Sequence, residues 1–220
     1  MHILTLTNYP SYFVNALRSP LKSNHLVTTL SLASLNEGTH SIQALMTAHR
    51  QPYEAILVDL RWNEQSELQT IFDSDELASS DDIPSTRSLT TILDFIRQVI
   101  AHNLVARVGK FLFLLYDDSF GYFTSKHSAP IYNQAIRSLS RSLAKEYARY
   151  QLNFNVIIYH PELKELPGSA THNRLLHNFV LKYQSIDYLQ VMDFIEALIT
   201  HTWPFNGATF RVGSGAVDYV

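Results

Sequence analysis

The chain contains no cysteine. This absence excludes disulfide bonds, thiolate catalysis and cysteine-ligated zinc, and it suits a reducing compartment, so we expect a cytoplasmic protein. No apolar run approaches the roughly 20 residues that a membrane-spanning helix needs. The first seven residues lack the basic start of a signal peptide, and their apolar alternation predicts a strand.

Glycine is also scarce, with seven residues in the chain, of which the first is Gly38. The segment 8–13 after the first apolar run therefore has none, and it carries Tyr9, Tyr12 and Phe13. A dinucleotide-binding loop at this place needs glycines for its tight turn and for close approach of the backbone to the pyrophosphate. We therefore expect no bound NAD(P).

The chain has few charged residues of either sign, 17 basic and 20 acidic, and its net charge is −3. Proteins that bind nucleic acids or anionic membranes carry a positive excess, so we expect neither partner. Ten histidines are present, but no two have the spacing of a helical zinc motif. We expect no metal site.

Apolar runs rich in β-branched residues alternate with helical patterns along all 220 residues. This order is typical of βαβ units and of a mainly parallel sheet, and the length suits a single α/β domain over 1–220. The predicted strands are 2–7, 26–32, 55–60, 110–116, 155–159 and 209–212, and the predicted helices are 11–17, 39–49, 89–102, 129–150 and 188–201.

An acidic stretch interrupts this pattern. Between Asp59 and Asp82 there are eight acidic residues and one basic residue, Arg61. We predict a surface excursion over 59–87. It is either a solvated loop or an acidic docking surface.

Several motifs of the second half follow one another in the order of a known family. The motifs are Ser88-Leu89-Thr90-Thr91 before a helix, the strand Gly109 to Leu115, Tyr132 at a helix start, Arg141 to Tyr147, Asn155 to Pro161, and the turns Asn206-Gly207 and Val212-Gly213-Ser214-Gly215. Together they resemble the short-chain dehydrogenases/reductases (SDRs), and the likeness extends less clearly over the first 87 residues.

The resemblance implies a Rossmann-like, doubly wound parallel sheet in three α/β/α layers. The amino-terminal half is shorter than in that family by about one βα unit. The family's Asn-Asn-Ala-Gly segment corresponds to Asp59-Leu60-Arg61-Trp62, whose bulk would crowd a cofactor. An oxidoreductase of this family would use NAD(P), which the glycine-free segment 8–13 argues against.

The resemblance also assigns the catalytic positions. Tyr132 corresponds to the tyrosine that exchanges a proton with the substrate, and Ile136 stands where the family has a lysine. A tyrosine pKa is about 10, and the lysine lowers it. Counting back from Tyr132 places the catalytic serine at Ser119, whereas counting from the strand gives Tyr116. Ser88 replaces the family's helix asparagine. We interpret Tyr132 as vestigial and expect Ile136 to pack with the apolar side of its helix.

The predicted helix 129–150 carries two stripes. Tyr132, Ile136, Leu139, Leu143 and Tyr147 form an apolar stripe that we expect to face the sheet or another subunit. The basic stripe is Arg137, Arg141, Lys145 and Arg149, at steps of four. It is either a solvated edge or a docking strip for an acidic protein partner.

Three functions remain open from the sequence. The first is a catalytically degenerate SDR-like protein, a binding, regulatory or scaffolding subunit. The resemblance implies that it associates through helices 89–102 and 129–150, as a homodimer or with an SDR-like paralogue. The second is a ligand sensor or atypical enzyme that reuses the old cleft, and the third is an NAD(P)-dependent oxidoreductase with unorthodox cofactor binding. The cleft residues of the second hypothesis are Tyr132, Ser119, Tyr116, Asp117 and Ser88.

Overall fold

Six parallel strands form the centre of the protein, with helices on both faces of the sheet. A computed structural model describes residues 1–7, 25–31, 35, 46, 51–60, 84–116, 129–159 and 188–212. The strands are β1 His2–Thr7, β2 Leu26–Ser31, β3 Ala55–Asp59, β4 Lys110–Tyr116, β5 Asn153–Tyr159 and β6 Thr209–Val212. The helices are α1 Pro84–Leu104, α2 Ala129–Tyr147, continued by a 3-10 turn at Ala148–Tyr150, and α3 Tyr188–Thr200.

The strand order is β2-β1-β3-β4-β5-β6, and every neighbouring pair is parallel. The chain therefore changes direction of winding between β1 and β3. A dinucleotide-binding sheet has the order 3-2-1-4-5-6, so the described sheet has one strand fewer on its amino-terminal side. This confirms the predicted Rossmann-like α/β fold with a shortened first half.

Two apolar cores cover the two faces of the sheet. Along β4, Phe111, Phe113 and Leu115 belong to the core beneath α1 and α2, whereas Leu112 and Leu114 belong to the core beneath α3. Side chains of a strand alternate between its faces, so a strand covered on both sides is apolar throughout. The layers are thus α1 and α2, the sheet, and α3.

All six predicted strands are confirmed, as are the three helices of the second half. Helix α1 begins at Pro84, five residues before the predicted start. Proline suits this first position because it has no N–H to satisfy. The predicted excursion 59–87 is therefore wrong at both ends, since Asp59 belongs to β3 and 84–87 to α1. Residues 61–83 lie outside the described residues, as do the predicted helices 11–17 and 39–49 except for residue 46, which is helical.

Within the described ranges, no helix combines the length and the hydropathy that crossing a bilayer requires.

Candidate functional site

The carboxyl ends of β1 and β3 meet where the strand order reverses. Thr7 and Asp59 are the last residues of these strands and stand opposite each other in register. Both are buried, with 1% and 2% of their surface exposed, and the Thr7 hydroxyl donates a hydrogen bond of 2.9 Å to Asp59 Oδ2. In open α/β sheets, ligands bind in the crevice outside this reversal point. The pair therefore places a buried carboxylate at the position where this fold usually binds its ligand.

The chemistry of this pair differs from that of a dinucleotide site. A dinucleotide is held there by backbone N–H groups and a helix amino terminus, which favour negative charge. Asp59 contributes only acceptor oxygens, and a charge buried away from water interacts strongly with its neighbours. In place of such donors, the described pair presents a carboxylate that is hydrogen-bonded to the Thr7 hydroxyl.

Ile136 lies in the core between α2 and the sheet. It is 2% exposed and belongs to the same cluster as Val156 and Ile158 of β5. The prediction that this position packs is confirmed. The backbone of Tyr132 lies in α2, one turn before Ile136, and the Tyr132 side chain lies outside the described residues.

The buried face of α2 is more polar than the sequence pattern predicts. Leu139, Leu143 and Tyr147 pack against the core as expected, but they are only partly buried. The fully buried positions include two polar residues that the sequence analysis missed, because it assigned the buried face to apolar residues alone. Among the side chains of α2 that the structure describes, the fully buried ones are Asn133, Ile136, Ser140 and Ala144.

The predicted basic stripe divides in two. Arg141, Lys145 and Arg149 are exposed, and the Arg149 guanidinium stacks over the Tyr150 ring at 4.6 Å from its centre. Arg137 is half-buried, and its Nε has no hydrogen-bond partner within the part of the chain that the structure describes. Arg137 is therefore less exposed than the other three residues of the basic stripe.

The other predicted site residues are only partly placed. Ser88 lies in α1 and Tyr116 ends β4, but their side chains are outside the described residues, as are Asp117 and Ser119 entirely. The proximity of the proposed cleft residues therefore stays a prediction. Among the described residues, no group of three histidine, aspartate or glutamate side chains could hold a metal ion.

A tight turn fixes α2 against the last two strands. The Asn206 side chain accepts a hydrogen bond from the Phe154 N–H at 2.9 Å and donates to the carbonyls of Leu152 and Ala144 at 3.3 and 3.4 Å. Gly207 follows with φ +78°, and a Cβ there would lie 3.2 Å from the Ala144 Cβ. Only glycine combines this φ with so close an approach. The Asn206-Gly207 turn thus sets the distance between α2 and β6.

A second cation, Lys110 at the start of β4, has a structural role. Its ammonium donates to carbonyls at the carboxyl end of α3, at 2.7 Å to Ile199 and 3.4 Å to Leu198, and to that of His201 just beyond the helix at 2.7 Å. Burial lowers the Lys110 pKa, and the nearby Glu54 carboxylate acts in the opposite direction. All three donors of the ammonium are thus used to cap a helix terminus, where positive charge is favoured.

No family model and no curated protein matches the sequence. Solved structures do match. Sorbitol-6-phosphate 2-dehydrogenase from Erwinia amylovora has a TM-score of 0.65 at 11% identity, over 98% of this chain and 99% of that one. An oxidoreductase of the short-chain dehydrogenase/reductase family from Burkholderia thailandensis gives 0.62 at 15%, over 96% and 90%.

A 3-oxoacyl-reductase from Bacillus thuringiensis gives a TM-score of 0.57 at 12% identity, over 99% of this chain and 98% of that one. At such low sequence identities, the matches show that the backbones are similar and do not show that the chemistry is. The six-stranded parallel sheet and these matches together show that the chain has the fold of the short-chain dehydrogenases/reductases.

Proposed function

We propose that this protein acts by binding, as a regulatory or scaffolding subunit with an SDR-like fold, and not through conventional NAD(P)-dependent chemistry. The observation that carries the proposal is the burial of Ile136 in the core, at 2% exposure. The resemblance places this residue where the catalytic lysine would stand, and an apolar side chain packed against β5 supplies neither a charge nor a donor.

The rest of the buried face of α2 supports the same reading. Asn133, Ser140 and Ala144 are the other buried residues of this face, and none is basic. An active-site tyrosine with an ordinary pKa of about 10 is almost entirely protonated at neutral pH, so it needs a nearby cation to become an effective base. The fully buried positions in the described part of α2, residues 133–147, do not provide one.

The Thr7–Asp59 pair adds an independent argument. Like charges repel each other, and they do so more strongly where water is excluded. A buried carboxylate at the strand-order reversal therefore disfavours a pyrophosphate in the usual position. This argument uses the register of β1 and β3 and does not depend on how the catalytic motif is aligned.

The partner we propose is a second copy of the chain or an SDR-like paralogue. Helices α1 and α2 cover the same face of the sheet, and their outer sides face solvent in the single chain. Leu93 on α1 is 41% exposed although the helix already buries a complete apolar side. If the outer sides of both helices packed against those of a partner, the Leu93 side chain would be buried in the interface.

Titration with NADPH and NADH, followed by calorimetry, tests the proposal. We expect no binding at millimolar cofactor. Binding near micromolar would overturn the proposal and favour an oxidoreductase, the activity that the names of the matched structures describe for those proteins. The variant Asp59→Asn, with Asp94→Asn on the exposed side of α1 as the charge control, shows whether the Asp59 carboxylate is what disfavours the cofactor.

A further inference from the structure

We draw no further inference here: the strongest candidate, the surface patch beyond α3 where the exposed rings of Trp203 and Phe205 stack beside the small cavity that Lys110 lines, carries nothing because no residue in the described part of the chain shows what covers it.

Discussion

At the scale of one residue, Ile136 is a fully packed position of the core. Its side chain fills the space between α2 and β5. Restoring the lysine that the resemblance places here, Ile136→Lys, would bury a charge with no partner. We expect it to lower the free energy of unfolding by roughly 3–5 kcal/mol, as for other uncompensated buried charges, measured by urea denaturation.

Ile136→Val is the matched control for that substitution. It removes one methylene from the same site and should lower the free energy of unfolding by about 0.5–1.5 kcal/mol. If Ile136→Lys is tolerated as well as Ile136→Val, the position is open to water, and the packing argument for a non-catalytic α2 does not hold. Binding of NADPH by Ile136→Lys would also contradict the packing argument.

Tyr53 is a buried phenol whose ionisation makes the stability of the protein depend on pH in the alkaline range. It is 1% exposed, and burial raises the pKa of its hydroxyl above 10.0, against the smaller opposite effect of a hydrogen bond with Thr28. The folded state then holds this proton more tightly than the unfolded state does. The contribution to stability is complete below pH 10.0 and is lost as the pH rises through the folded-state pKa.

The corresponding variant is Tyr53→Phe, which cannot ionise. Its free energy of unfolding should improve relative to that of the wild-type protein as the pH is raised from 9 to 11. Urea denaturation of both proteins across this range measures the difference between their free energies of unfolding. Tyr147 and Lys110 titrate in both proteins, so their contributions cancel in this difference. A difference that does not change with pH would show that Tyr53 does not titrate in this window.

At the scale of secondary-structure elements, Gly207 determines how closely α2 approaches β6. Gly207→Ala combines a strained φ of +78° with a contact of 3.2 Å to the Ala144 Cβ. A residue held in this backbone region costs of order 1–3 kcal/mol, so we expect a loss of that size in the free energy of unfolding. The double variant Gly207→Ala with Ala144→Gly should couple favourably, because it removes the contact and leaves only the backbone strain. Simple additivity would show that α2 and β6 are not in close contact.

The order of elements was predictable from the sequence, whereas the polar contacts between elements were not. Buried parallel strands are apolar on both faces, so a continuous apolar run such as that of β4 predicts a buried strand from the sequence alone. The Thr7–Asp59 bond joins residues 52 positions apart, and it requires the strand order to be known. Asn133 and Ser140 are buried on a helix whose apolar pattern places the core elsewhere. Nothing in a single sequence distinguishes such buried polar residues from exposed ones.

For the whole molecule, the distribution of exposed apolar side chains separates two possible contact faces. Leu93 is exposed on α1, whereas Trp203, at 45% exposure, and Phe205, at 40%, stack on each other beyond α3. These patches belong to opposite sides of the sheet, since α1 contributes to one core and α3 to the other. A dimer formed through α1 and α2 uses the first patch only.

Light scattering on two matched variants tests which face is used. We expect the wild-type protein to be a dimer and Leu93→Arg to be a monomer with an unchanged circular dichroism spectrum, because a charge at the centre of the paired helices would be buried without a partner. Trp203→Ser should remain a dimer. Val105→Arg, at a position that is 92% exposed just beyond α1, controls for the added charge. If Trp203→Ser dissociates the protein and Leu93→Arg does not, the interface lies on the α3 side. A wild-type protein that is monomeric and that retains no SDR-like partner from its own cell extract would contradict the proposed subunit role altogether.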